Sequence, residues 1–124
     1  MIVLALLADV IALTPSDIGP LHDAVAKCDR DALASFAKAE PHRRAEFGDA
    51  VYIEQRSIAE DRAALTDSAA SSATGRASLE TGRVALDNRQ KRLDDAKLVE
   101  KAWRDAVDEL RADYLANCDL RKKN

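Results

Sequence analysis

Ser71-Ser72-Ala73-Thr74-Gly75 is the one Ser/Gly-rich break in an otherwise charged and alanine-rich chain, and two cysteines lie almost symmetrically about it. Cys28 stands 46 residues before Thr74 and Cys118 stands 44 after it. Two helical arms that turn back at this break would bring both cysteines to the same level. The spacing therefore predicts an all-α fold: a long antiparallel helical hairpin of the coiled-coil kind over residues 20–120, with its turn near 71–77 and a Cys28–Cys118 disulfide across its far end.

The composition suits such a shape. Of 124 residues, 33% are charged and 4% aromatic, the balance of long exposed helices. Alanine supplies 24 of the apolar residues. Nine of the larger apolar side chains fall in the first 13 positions, leaving 25 across residues 14–124. Burial contributes about 25 cal/mol per Å² against an ordering entropy of about 1–2 kcal/mol per residue, so this supply fits a narrow seam better than a globular core. The formal charge of −3 weighs against nucleic acid as a partner, because phosphate binding needs a strongly basic face. Residues 121–124, with Arg121-Lys122-Lys123, read as a short basic tail.

Residues 1–12 are apolar enough to resemble a weak signal peptide, with small residues spaced as a signal peptidase accepts them. No Lys or Arg precedes the apolar run, and Asp9 interrupts it. The alternative is an apolar helix packed on the body of the protein. From Ile2 to Leu13 the run is too short to span a bilayer, which takes about 20 residues. Residues 13–19, with Thr14-Pro15 and Gly19, form a linker, and Pro20 suits the start of a helix, where its missing N–H costs nothing.

Leu21, Val25, Cys28, Ala32 and Phe36 then recur on one helical face, and Phe47, Val51, Ile58 and Leu65 make a second stripe. Pro41 lies between them, so the first arm is expected to kink or break there. After the turn, Leu79, Gly82, Leu86, Arg89, Leu93 and Ala96 alternate by three and four. Val99, Trp103, Ala106 and Leu110 resume the pattern after a three-residue step, a stammer. This makes Ser78 to about Cys118 one helix. A bundle with residues 20–39 as a separate antiparallel helix would leave the cysteines about 48 Å apart, whereas a disulfide needs Cα atoms within about 7 Å. In the hairpin, residues whose numbers add to about 148 face each other, which brings Cys28 and Cys118 together.

No catalytic signature accompanies this frame. His22 and His42 lack a partner at i+3 or i+4 that would make a helical metal pair, and neither Gly-x-Ser-x-Gly, a phosphate loop nor His-Glu-x-x-His occurs. The pairs Glu60-Asp61 and Asp94-Asp95 point in different directions on a helix and read as solvated charges. The expectation is a non-enzyme with no cofactor, metal or small-molecule substrate. Trp103 and Tyr114 read as seam fillers or an interaction hot spot. Val51, Tyr52 and Ile53 widen the apolar face beyond the seam and are the candidate partner surface, for self-association or a helical protein partner.

Paired cysteines belong in an oxidising compartment. The reading is therefore a periplasmic or secreted interaction or structural module that acts by binding protein. A chaperone-like or membrane-associated spacer and a cytoplasmic coiled-coil regulator are the alternatives.

Overall fold

The computed structural model describes residues 2–15, 17–69 and 75–122. Four helices follow in order: α1 (Ile2–Ala12), α2 (Gly19–Ala26), α3 (Arg30–Ala69) and α4 (Gly75–Lys122). The turn between the arms falls largely in residues 70–74, outside the described residues, and α4 is already helical from Gly75. Likewise Arg121 and Lys122 continue α4, while Lys123 and Asn124 lie outside.

Helices α3 and α4 form the antiparallel hairpin. Gln55 faces Gln90, Arg43 faces Glu100, and Cys28 is bonded to Cys118 with their Cα atoms 5.6 Å apart, so one register holds along the pair. Leu93 and Ile58 are fully buried at its centre, joined by Phe47, Leu86 and Ala96. Leu65 is half-buried and packs into the notch at Gly82, where an added Cβ would lie 2.7 Å from Leu65 Cδ2. At 1.5 Å per residue, the 40 residues of α3 and 48 of α4 span about 60 and 72 Å. Small-angle scattering should accordingly give a maximum dimension of about 70 Å. A value near 40 Å would reject the extended hairpin.

The first arm breaks much earlier than Pro41. Helix α3 runs without interruption through Pro41, which sits beside Ala37 on an exposed stretch where water can serve the carbonyl the proline cannot. The break is at Lys27–Asp29. Cys28 adopts the left-handed conformation (φ 52°), the Cys28 N–H donates to the Val25 carbonyl and the Asp29 N–H to the Ala24 carbonyl, a Schellman ending for α2. Asp29 then caps α3, its Oδ1 accepting from the Ala32 N–H at 3.1 Å. The stripe Leu21 to Phe36 is therefore split between two helices.

Because the chain reverses at Cys28, α1 and α2 run back along the hairpin as a third, broken arm. Helix α1 packs on the hairpin: Leu7 and Val10 are buried, and Val10 joins the core of Phe47, Ala50 and Leu93. Thr14 ends α1 by donating its hydroxyl to the Val10 carbonyl at 2.9 Å.

The stammer after Ala96 does not occur. Alternation continues through Glu100, Trp103 and Val107, leaving Val99 47% exposed and Ala106 half-buried. The residue that keeps the period is a carboxylate, which a search for apolar residues steps over.

Gly48, mid-helix and exposed, has nothing within 4 Å of an added Cβ. Gly48→Ala should raise stability by about 0.5–1 kcal/mol, readable as a higher denaturant midpoint at unchanged slope.

Candidate functional site

Two features set this hairpin apart from a plain apolar seam: charged clusters inside it and an open groove at its disulfide end.

The first cluster centres on Arg43. Its Nε and Nη2 donate to Glu40 at 3.0 and 2.6 Å, Nη1 and Nη2 donate to Glu100 at 2.9 and 2.8 Å, and Nη1 also donates to the Leu13 carbonyl at 2.9 Å. All five guanidinium N–H groups are thus used, and one side chain ties the end of α1 to both arms. Glu40 Oε1 further accepts from Arg44 Nε at 3.0 Å and from Trp103 Nε1 at 2.9 Å, and Arg104 Nε donates to Glu100 at 2.9 Å. Trp103 is a seam residue with a polar handle: its ring packs on Phe36 at 6.1 Å and lies 5.7 Å from the Arg43 guanidinium.

Burial by itself would raise the Glu40 carboxyl, but hydrogen bonds from Arg43, Trp103 and Arg44 outweigh it and bring it from 4.5 down to about 2. At Glu100 burial likewise raises the carboxyl, and hydrogen bonds from Arg43 and Arg104 more than offset it, so this group also falls below its usual value. A carboxylate with a depressed folded value stabilises the protein above its unfolded value and loses that contribution as pH falls through the folded one. For Glu40 the window runs from about 4.5 to about 2, and the loss there should be on the order of 2–3 kcal/mol. Urea unfolding from pH 6 to pH 2 checks this. Glu40→Gln must flatten that part of the profile, and parallel curves for the variant and the parent would exclude Glu40 as its source.

The second cluster lies nearer the turn. Arg89 Nε donates to the fully buried Glu54, Nη1 to Asp61 at 2.8 Å and Nη2 to the Ser57 hydroxyl at 2.9 Å. Asp61 is therefore an ion-paired seam residue and not a solvated charge. Burial pulls the Arg89 guanidinium down, but its hydrogen bonds to the Glu54 and Asp61 carboxylates overcome this and leave the group raised. Of these seam charges, the apolar period picks out Arg89 alone. Glu54 and Asp61 occupy the positions that the seven-residue steps Val51, Ile58, Leu65 leave unfilled, and that gap is the signal for them.

At the disulfide end the hairpin leaves a groove of about 620 Å³. Leu21 and Val25 of α2, Leu33 and Phe36 of α3, and Val107 and Tyr114 of α4 form its floor, all buried or half-buried. Ala34, Ala37 and Pro41 of α3 and Arg111 and Leu115 of α4 line its exposed rim. Helix α2 covers the other side of the seam, beside Leu110, Asp113 and Asn117, which lie across α4 from Arg111 and Leu115.

The expected partner surface is not one surface. Val51 is half-buried against the core, while Tyr52 is 66% and Ile53 46% exposed. Consecutive helical residues diverge by about 100°, so these three span more than half the helix circumference and cannot share a face. Cys28 and Cys118, by contrast, are brought together as the spacing requires. His22 and His42 are exposed at the surface; contrary to expectation His42 does have a carboxylate partner at i+4, its Nε2 lying 2.7 Å from Glu46 Oε1, but no third ligand joins this exposed pair among the described residues. Among the described residues no His/Cys/Asp/Glu cluster is arranged to hold a metal ion, and no helix is long and apolar enough to cross a membrane.

Compared with models of known protein families, with curated proteins and with solved structures, the chain matches none.

Proposed function

We propose that this protein is an exported, non-enzymatic helical module that acts by binding another protein through the groove at its disulfide end. The observation that carries the reading is the pairing of a rigid frame with an unfilled apolar floor. The disulfide joins the α2–α3 turn to the end of α4, next to the groove those three helices line. Apolar floors of this kind are a recurrent feature of protein-interaction sites. The disulfide supports export, because such bonds persist in oxidising compartments and are rare in reducing ones.

Two measurements test the reading in its native setting. Trapping thiols with an alkylating reagent at the moment of lysis should find Cys28 and Cys118 unmodified, and alkylation of both would overturn export. A photo-cross-linker placed at Ala37 on the groove rim should capture protein, whereas the same group at Val84, exposed near the turn, should not. Equal capture at the two positions, or none at Ala37, would overturn the groove as the binding site.

A further inference from the structure

We infer that the partner segment is an acidic amphipathic α-helix of about four turns, which lies lengthwise in the groove and completes a local four-helix bundle. This rests on the protein-binding reading above and specifies its ligand.

Three observations select a helix of this kind. Cross-section comes first: at the disulfide end α2, α3 and α4 surround the seam on one side only, and the vacant quadrant of a four-helix arrangement is the groove itself. Between Arg30 and Arg44 the exposed α3 rim is Ala34, Ala37 and Pro41, which present no long side chain against an approaching backbone.

Length is set by the two ends. Arg30 to Arg44 is the extent of α3 along the groove, about 21 Å at 1.5 Å per residue, or roughly 14 helical residues. Beyond Arg44 the same flank of the hairpin is bridged by the reciprocal Gln55–Gln90 amide pair and by Arg62 with Asp87 at 2.9 Å, so the apolar floor ends there.

Charge is the third. Arg30, Arg44 and Arg111 line the groove together with two carboxylates, Glu40 and Asp108, both of which lie against Arg44, so Arg30 and Arg111 carry its uncompensated charge in a protein whose formal charge is −3. Neither Arg30 nor Arg111 has an ion-pair partner among the described residues. Arg44 is engaged with Glu40 and lies 4.0 Å from Asp108. Arg30 and Arg44 stand 14 residues apart on α3, about 21 Å along the groove, so the cations do not all meet at one point. A single anionic headgroup needs convergence, whereas a helix with carboxylates beside its apolar stripe meets cations in series.

The test uses the full oxidised protein and two synthetic helical peptides of 18 residues with the same leucine stripe, one flanked by Glu and the other by Lys. Binding is read by calorimetry at low and high salt, with Trp103 fluorescence as a second signal. The Glu peptide should bind at least tenfold more tightly than the Lys peptide, with the preference shrinking in high salt. Arg30→Glu with Arg111→Glu should reverse the preference, and Ala37→Arg should weaken binding of the Glu peptide tenfold or more. Unchanged melting temperatures of these exposed-site variants keep the comparison clean.

Equal binding of both peptides, or a preference that survives the charge reversal, would overturn the inference. So would saturable binding of oleate that the Glu peptide cannot displace. In the native cross-linking experiment, an acidic helical segment captured at Ala37 supports the inference. Capture of a second copy of this chain, or of a basic or extended segment, overturns it while leaving protein binding at the groove intact. Absence of any protein there removes both.

Discussion

Reduction of the Cys28–Cys118 bond is expected to lower the melting temperature by about 15 °C or more. The bond spans 90 residues, and on chain-entropy grounds closing a loop of that size contributes about 4–5 kcal/mol. For a chain of this length a loss of that size corresponds to several degrees per kcal/mol. Cys28 is a non-glycine residue in the left-handed region, which costs roughly 1–2 kcal/mol where glycine would cost little. The double variant Cys28→Gly/Cys118→Ala should therefore be more stable than Cys28→Ala/Cys118→Ala by about 1 kcal/mol, although neither has the bond. Thermal unfolding of the oxidised protein, the reduced protein and the two variants separates the effects. If reduction moves the midpoint by only a degree or two, the hairpin is held by its seam and the disulfide contributes little.

Arg43→Ala should be nearly as costly. Removing this guanidinium leaves Glu40 and Glu100, both buried, without their shared cation, and breaking a buried ion pair on one side typically costs about 3–5 kcal/mol. Arg43→Lys should recover only part of that, since one ammonium with three donors cannot serve two carboxylates and the Leu13 carbonyl in the same geometry. Replacing Arg43, Glu40 and Glu100 together by Met, Leu and Leu should recover part of the stability, because an apolar layer removes the buried charges while leaving the Trp103 Nε1–H and the Leu13 carbonyl without their partners. Chemical denaturation of the three variants checks the order. If Arg43→Ala falls within 1 kcal/mol of the parent, the cluster is well solvated and contributes nothing distinctive.

In contrast, truncation at the apolar centre follows ordinary packing. Leu93→Ala, at a fully buried position, is expected to cost about 2–5 kcal/mol, and a circular dichroism melt suffices to measure it.

The hairpin and its disulfide are legible in the sequence because both depend on distances counted along the chain. A single Ser/Gly-rich break, apolar residues every three or four positions on either side, and two cysteines equidistant from the break leave one arrangement in which a bond can form. Leu65, Gly82, Leu86 and Leu93 follow from the same counting, and they meet in the seam. Tertiary structure alone decided the rest. No glycine marks the reversal at Cys28; backbone hydrogen bonds to Val25 and Ala24 and the bond to Cys118 hold that residue in a conformation its type disfavours, and so the first arm folds back there and not at Pro41. Glu40, Glu54 and Glu100 read as surface residues until a guanidinium arrives from elsewhere in the fold to offset their burial, and an isolated strand of sequence cannot say that one will. The groove belongs to no segment at all: its floor is assembled from α2, α3 and α4, so it exists only once the chain has turned at Cys28 and again at the central break.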